Sequence, residues 1–266
     1  MYQINPSARI LIAYLSRLRS NHYQPFWIIL LVGIFLQQQP PVEAVEILTK
    51  QILKNDIEGV EININYPYID SDNPSASIFN QIARDIAIKI WEPYYQSTLP
   101  EESKKPLWEL KREDFCEAVS EDCDKVYSLE YKVHYLDENL ISIEFFQYWS
   151  HGGLHGFFVT FGLSYDFRKK REIKLENLFR HNTPFLVKLA DLCNQNLSKR
   201  ECVIREVTPQ DDEFTNWVFD KEGLNIIFPI YSVASYSCGE QEVKIPYKSL
   251  SDILDVPFTH LLNMQL

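Results

Sequence analysis

Between residues 61 and 68 the chain alternates, with Ile62, Ile64 and Tyr66 set against Glu61, Asn63 and Asn65. That is the two-residue period of a half-buried strand. Residues 70–73 end it. Asn73 followed by Pro74 then reads as an N-cap with proline in the first helical position. Phe79, Ile82, Ala83, Ile86 and Ile90 fall on one face of the helix this predicts, which ends near Trp91. The acidic turn is not a calcium loop, because Ser75 stands at the sixth position and Gln81 at the twelfth, where glycine and glutamate are required. Residues 97–124 are polar and charged, contain Pro100 and Pro106, and read as a long connection and a domain boundary. The clearest alternation follows, Tyr127, Leu129, Tyr131, Val133 and Tyr135 against Ser128, Glu130, Lys132 and His134. Strands over 140–149 and 157–167 and a short one at 173–175 complete an antiparallel meander.

The pattern then returns to helical spacing. Thr183 and Pro184 repeat the cap-and-proline signal, with Phe185, Leu186, Leu189, Ala190, Cys193 and Leu197 on one face and Lys199 and Arg200 at the end. Residues 217–219 and 224–228 flank an Asp-Lys-Glu-Gly turn and predict a hairpin. A last strand is expected over 243–247, and a short terminal helix capped by Ser249 over 249–254. Strands and helices segregate rather than alternate. The expected class is α+β, an antiparallel sheet meander with helices packed on one side.

The N-terminus changes the picture of where this fold works. Arg9, Arg17 and Arg19 precede any acid, and the apolar block from Phe26 to Leu36 follows. These are the parts of a signal sequence. Eleven apolar residues fall short of the roughly 20 needed to span a bilayer, so cleavage after Ala44 is the expectation and an uncleaved tether the alternative. No cysteine sits where a lipid anchor would attach. The localisation expected is extracytoplasmic, periplasmic or secreted.

Removing residues 1–44 leaves 23 basic against 36 acidic residues, a net charge of about −13, compared with −11 for the whole chain. Such a chain repels nucleic acid and anionic lipid and suits a cationic partner. Aromatic residues make up 14% of the chain, enough for a Tyr- and Phe-rich core. Of five cysteines, Cys116 and Cys123 are close in sequence, as are Cys193 and Cys202, with Cys238 left over. In an oxidising compartment the two local pairs are the economical disulfides, though five cysteines allow other pairings. No spacing fits zinc or thioredoxin chemistry.

Residues 140–145, Tyr148, Gly152-Gly-Leu-His-Gly156, Tyr165-Asp166 and Leu175-Glu-Asn-Leu-Phe179 together resemble the extracytoplasmic domain of RsiV-type anti-sigma factors. So do residues 219–231, Gly239, Glu242-Val-Lys-Ile-Pro-Tyr247 and Leu250, and residues 61–91 resemble that domain's small N-terminal companion. The resemblance implies a domain of unknown function, found alone, in anti-sigma factors that sense lysozyme, or beside polysaccharide deacetylase domains. The expected organisation is a signal sequence over 1–44, the companion region over 45–124 and the RsiV-like domain over 125–266. Neither an anti-sigma segment nor a deacetylase domain is expected beside it, so neither activity is carried over.

Four residues stand out as ligand contacts. His151 and His155 bracket Gly152 and Gly153, but the glycines argue against the helix that a metal-binding pair at this spacing needs. A tight turn is expected there and no metal or cofactor. Tyr231 and Tyr236 lie in an apolar segment after Pro229, where a tyrosine offers a flat apolar face and a polar tip to a sugar or protein. No nucleophile elbow or phosphate loop is present, and glycines number only eight. The expected function is a non-catalytic extracytoplasmic binding or sensing module, for a lysozyme-like cationic protein or a peptidoglycan-type glycan. The alternative is a cell-wall carbohydrate-active enzyme or its accessory domain.

Overall fold

The computed structural model describes residues 46–92, 99–116, 123–151, 155–255 and 258. The proposed signal sequence lies outside them. From Ala44 onward the chain forms one compact unit. It holds a six-stranded sheet in sequential order, β1 (Ile47–Ile57), β2 (Val60–Ile69), β3 (Lys125–Leu136), β4 (Leu140–Ser150), β5 (Phe157–Asp166) and β6 (Arg171–Glu172), and a three-stranded sheet of β7 (Trp217–Phe219), β8 (Gly223–Phe228) and β9 (Gln241–Pro246). The helices are α1 (Pro74–Trp91), the single turn α2 (Arg112–Phe115) and α3 (Phe185–Leu197). The mixed α+β class with antiparallel-dominated sheets is as the pattern predicts.

One pairing departs from the meander. β2 and β3 run parallel, Ile62 opposite Tyr127 and Ile64 opposite Leu129. Parallel neighbours need a long crossover, and residues 70–124 with α1 supply it. Position 124, where a boundary was expected, is therefore a connection inside one sheet. At the tip of the β1–β2 hairpin, Gly59 has φ 74°, and a Cβ there would meet the Cys123 carbonyl oxygen at 2.0 Å. Only glycine fits both demands.

α1 forms where the cap predicts: Asn73 Oδ1 accepts from the Ser75 N–H at 2.9 Å, with Pro74 opening the helix. Its inward face is Ala76, Phe79, Ala83 and Ala87, packed on Ile62, Ile64, Leu129, Ile143 and Phe145. The small alanines let the helix sit close, and full burial of Phe79 alone is worth about 1.5–3 kcal/mol. Asn80 fixes the register by bonding both the N–H and the carbonyl of Ile69, at 2.8 and 2.9 Å.

α3 packs Leu189, Ala190, Cys193 and Leu197 into a second core with Ile226, Phe228, Val243 and Ile245 of the small sheet. Its start differs from expectation. Pro184 is the cap residue rather than the first helical one, and the Thr183 hydroxyl donates backward to the Arg180 carbonyl at 2.7 Å. The terminal helix expected over 249–254 is instead a 3-10 turn, Tyr247–Leu250, followed by a bridge from Leu254 to Phe179. That bridge gives the backbone a partner a short helix would have lacked.

Cys116 is bonded to Cys123, but Cys202 pairs with Cys238 and not with Cys193. The reason is helical geometry. Cys193 points from α3 into the second core, fully buried, and burial pushes its thiol up to about 12. Cys202 lies beyond the helix end, against the loop that carries Cys238.

Candidate functional site

β4 ends beside β5, and cross-strand pairing sets Trp149 opposite Phe157. Their rings stack at 5.7 Å between centroids. His155, just before β5, meets Phe157 at 5.3 Å and Tyr236 at 5.2 Å, and Tyr236 meets Tyr231 at 5.2 Å. Five rings thus form one continuous ribbon, Trp149, Phe157, His155, Tyr236 and Tyr231. It is open to solvent: Tyr231 is 61% exposed, Phe157 46% and Tyr236 36%. Tyr148, also exposed, closes over Gly156, where a Cβ would meet the tyrosine ring at 2.4 Å.

The loop between β8 and β9 that presents the two tyrosines is held rather than free. Tyr231 adopts φ 65°, a left-handed conformation costly for an aromatic residue. The Cys202–Cys238 disulfide, the bridge between Val203 and Ala234, and the Ile204 N–H donating to the Val233 carbonyl clamp the loop to the segment after α3. Arg205 adds a fourth tie, donating to the Ser232 carbonyl at 2.8 Å while its guanidinium holds Asp211 and Glu213. A loop ordered before binding loses less entropy when a ligand arrives.

Three of the four residues marked from sequence, His155, Tyr231 and Tyr236, come together here. His151 does not. Its ring packs against Tyr127 at 5.7 Å, and burial, with Lys125 adding like charge, holds its imidazole below the usual value. Residues 152–154, which carry the two glycines, lie outside the described residues. Among the described residues no group of three His, Cys, Asp or Glu side chains is arranged to hold a metal. The pattern missed Trp149 and Phe157, whose strand alternation hides that they lie at the strand ends. It also missed that Cys238 fastens the loop.

Behind the ribbon, polar groups line the contact between the sheets. Alternation places Ser142 and Glu144 on the face of β4 opposite α1, where the Phe219 N–H donates to Ser142 Oγ at 2.9 Å and Asn216 donates to the Thr160 carbonyl at 2.6 Å. Glu144 is bonded to His134 at 2.6 Å. Glu240, one residue beyond Gly239, turns into this seam. Burial, with like charge from Glu144 and Glu242, pushes its carboxyl up to about 7 against the opposing Thr160 hydroxyl. Among the described residues, the imidazoles with hydrogen-bond partners are His134, bonded to Glu144, and His155, beside the Gly156 carbonyl.

The fold defines a mixed α+β domain, and solved structures share it. Two proteins of the DUF3298 family superpose on it: one from Pseudomonas aeruginosa PAO1 at TM-score 0.58 and 20% identity, over 80% of this chain and 94% of that one, and one from Bacteroides fragilis at 0.56 and 18%, over 83% and 98%. In sequence, residues 176–248 match the profile of that family, described as "Protein of unknown function (DUF3298)". Over 134 residues the chain is 26% identical to the peptidoglycan-N-acetylmuramic acid deacetylase PdaC of Bacillus subtilis, covering 48% of this chain and 29% of that protein.

Proposed function

We propose that this protein is a non-catalytic, extracytoplasmic binding module of the cell envelope, that its ligand is a cell-wall glycan of the peptidoglycan type, and that the five-ring ribbon is the surface that takes it. The observation that carries the reading is Tyr236, set between His155 and Tyr231 on a clamped, solvent-facing loop. Sugar rings present apolar C–H faces ringed by hydroxyls, and tyrosine meets both with one flat face and one polar tip. Two disulfides suit an oxidising compartment, the N-terminal segment reads as an export signal, and the partial likeness to PdaC supports a cell-wall ligand. The RsiV-type resemblance points to the same compartment.

Isothermal titration with soluble peptidoglycan fragments, and co-sedimentation with insoluble peptidoglycan, test this. Tyr236→Ala is expected to weaken retention about tenfold, the loss typical of a central aromatic contact. Wild-type chain that is not retained at low salt, or Tyr236→Ala that is retained equally, overturns the reading. A second reading rests on the net charge of −11, which suits a cationic protein such as a lysozyme. It requires lysozyme capture that fades with added salt. The alternative of a carbohydrate-active enzyme or accessory domain requires turnover of peptidoglycan or chitooligosaccharide that is lost in His151→Ala or His155→Ala.

A further inference from the structure

A cleft of about 440 Å³ opens between β5, the 3-10 turn Leu175–Leu178, the start of α3 and the loop 209–217. It shares no lining residue with the aromatic ribbon. The volume lies in the range of small-ligand sites. Its apolar lining comes from Ile173, Leu175, Phe185, Leu186, Phe214 and Trp217. Four carboxylates also line it, Glu172, Glu176, Asp211 and Asp212, against one ammonium, Lys174. Asp211 is already engaged by Arg205 and the Thr208 hydroxyl. The side chains of Glu172, Glu176 and Asp212 have no ion pair or hydrogen bond among the described residues. A concave site with excess charge of one sign over apolar walls concentrates that potential.

We infer that this cleft binds a small organic cation with an apolar body, an alkylammonium-type group whose chain enters between Phe185 and Trp217 while its charge meets Glu176 and Asp212. An anionic ligand would meet three carboxylates against the single ammonium of Lys174. A neutral apolar one would leave their field unused. The complement of both features in one molecule is an amphipathic ammonium ion.

The probe is hexylammonium, titrated calorimetrically into the whole chain with tryptophan emission, compared between wild type and Trp217→Phe, as a second readout, beside 1-hexanol and hexanoate of the same chain length. Hexylammonium is expected to bind at least tenfold more tightly than hexanol, and hexanoate not at all. The double variant Glu176→Gln with Asp212→Asn, both exposed positions, should weaken hexylammonium roughly three- to tenfold, the effect of two exposed ion pairs, and leave hexanol unchanged. Equal affinity for hexanol, no effect of the double variant, or no hexylammonium binding at millimolar concentration overturns the inference. Tyr236→Ala should leave this binding intact, so failure here and failure of the glycan reading are separate results.

Discussion

Glu240 shows how one side chain can couple the aromatic loop to pH. Its ordinary carboxyl value of 4.5 is raised to about 7 in the folded chain, first by burial and then by Glu144 and Glu242. Between those values the folded state keeps a proton that the unfolded chain has released, so this residue makes stability fall as pH rises from about 4.5 to 7. After discounting for solvent screening, the contribution is about 1–2 kcal/mol. Urea titrations at pH 5 and pH 8 should show Glu240→Gln stabilised relative to wild type by that amount at pH 8 only. An unchanged difference between the two pH values would show that the carboxyl titrates normally. The sequence offered no sign of this group, since a glutamate between Gly239 and Gln241 looks like any loop acid until Thr160 and Glu144 are brought around it.

At the scale of elements, two features decide whether the loop and sheets meet correctly. The Cys202–Cys238 bond closes a separation of 36 residues and joins the end of α3 to the tyrosine loop. Cys238→Ser, or reduction of the whole chain, should lower unfolding free energy by about 2–4 kcal/mol. It should weaken glycan retention as well, because Tyr231 and Tyr236 then lose their tether; retention unchanged after reduction would show that Arg205 and the Val203–Ala234 bridge suffice. The second feature is Gly162 in β5, where an added Cβ would lie 1.9 Å from the Trp217 carbonyl oxygen. Backbone cannot swing aside as a side-chain tip can. Gly162→Ala is therefore expected to push β7 off β5 and cost about 1–3 kcal/mol in denaturant melts, the range of overpacking. Neither effect is visible in the local pattern: the cysteines nearest in sequence were the natural pairing, and Gly162 sits in an ordinary alternating strand.

For the whole molecule, the parallel pairing of β2 with β3 makes the six-stranded sheet continuous through position 124. A fragment of residues 125–266 would leave Leu129, Ile143 and Phe145 uncovered on the face that α1 buries. Residues 44–266 should unfold in one cooperative transition, while the shorter fragment should bind hydrophobic dyes and lack a sharp melt; a cooperative melt of the fragment would restore the boundary at 124. The sequence by itself determined the strands β2 to β5 and β7 to β9, the two long helices and their buried faces, and the candidates His155, Tyr231 and Tyr236, because periodicity and caps act within a few residues; β1 was not read from it, and the strand expected over 173–175 runs instead into the 3-10 turn Leu175–Leu178. Only the tertiary structure decided that β2 pairs parallel with β3, that Cys202 takes Cys238 while Cys193 faces the core, and that His151 leaves its neighbour to pack on Tyr127. Those outcomes depend on which surfaces meet across 24 to 65 residues of chain, where the free energy of burying apolar faces together outweighs any preference a local segment can express.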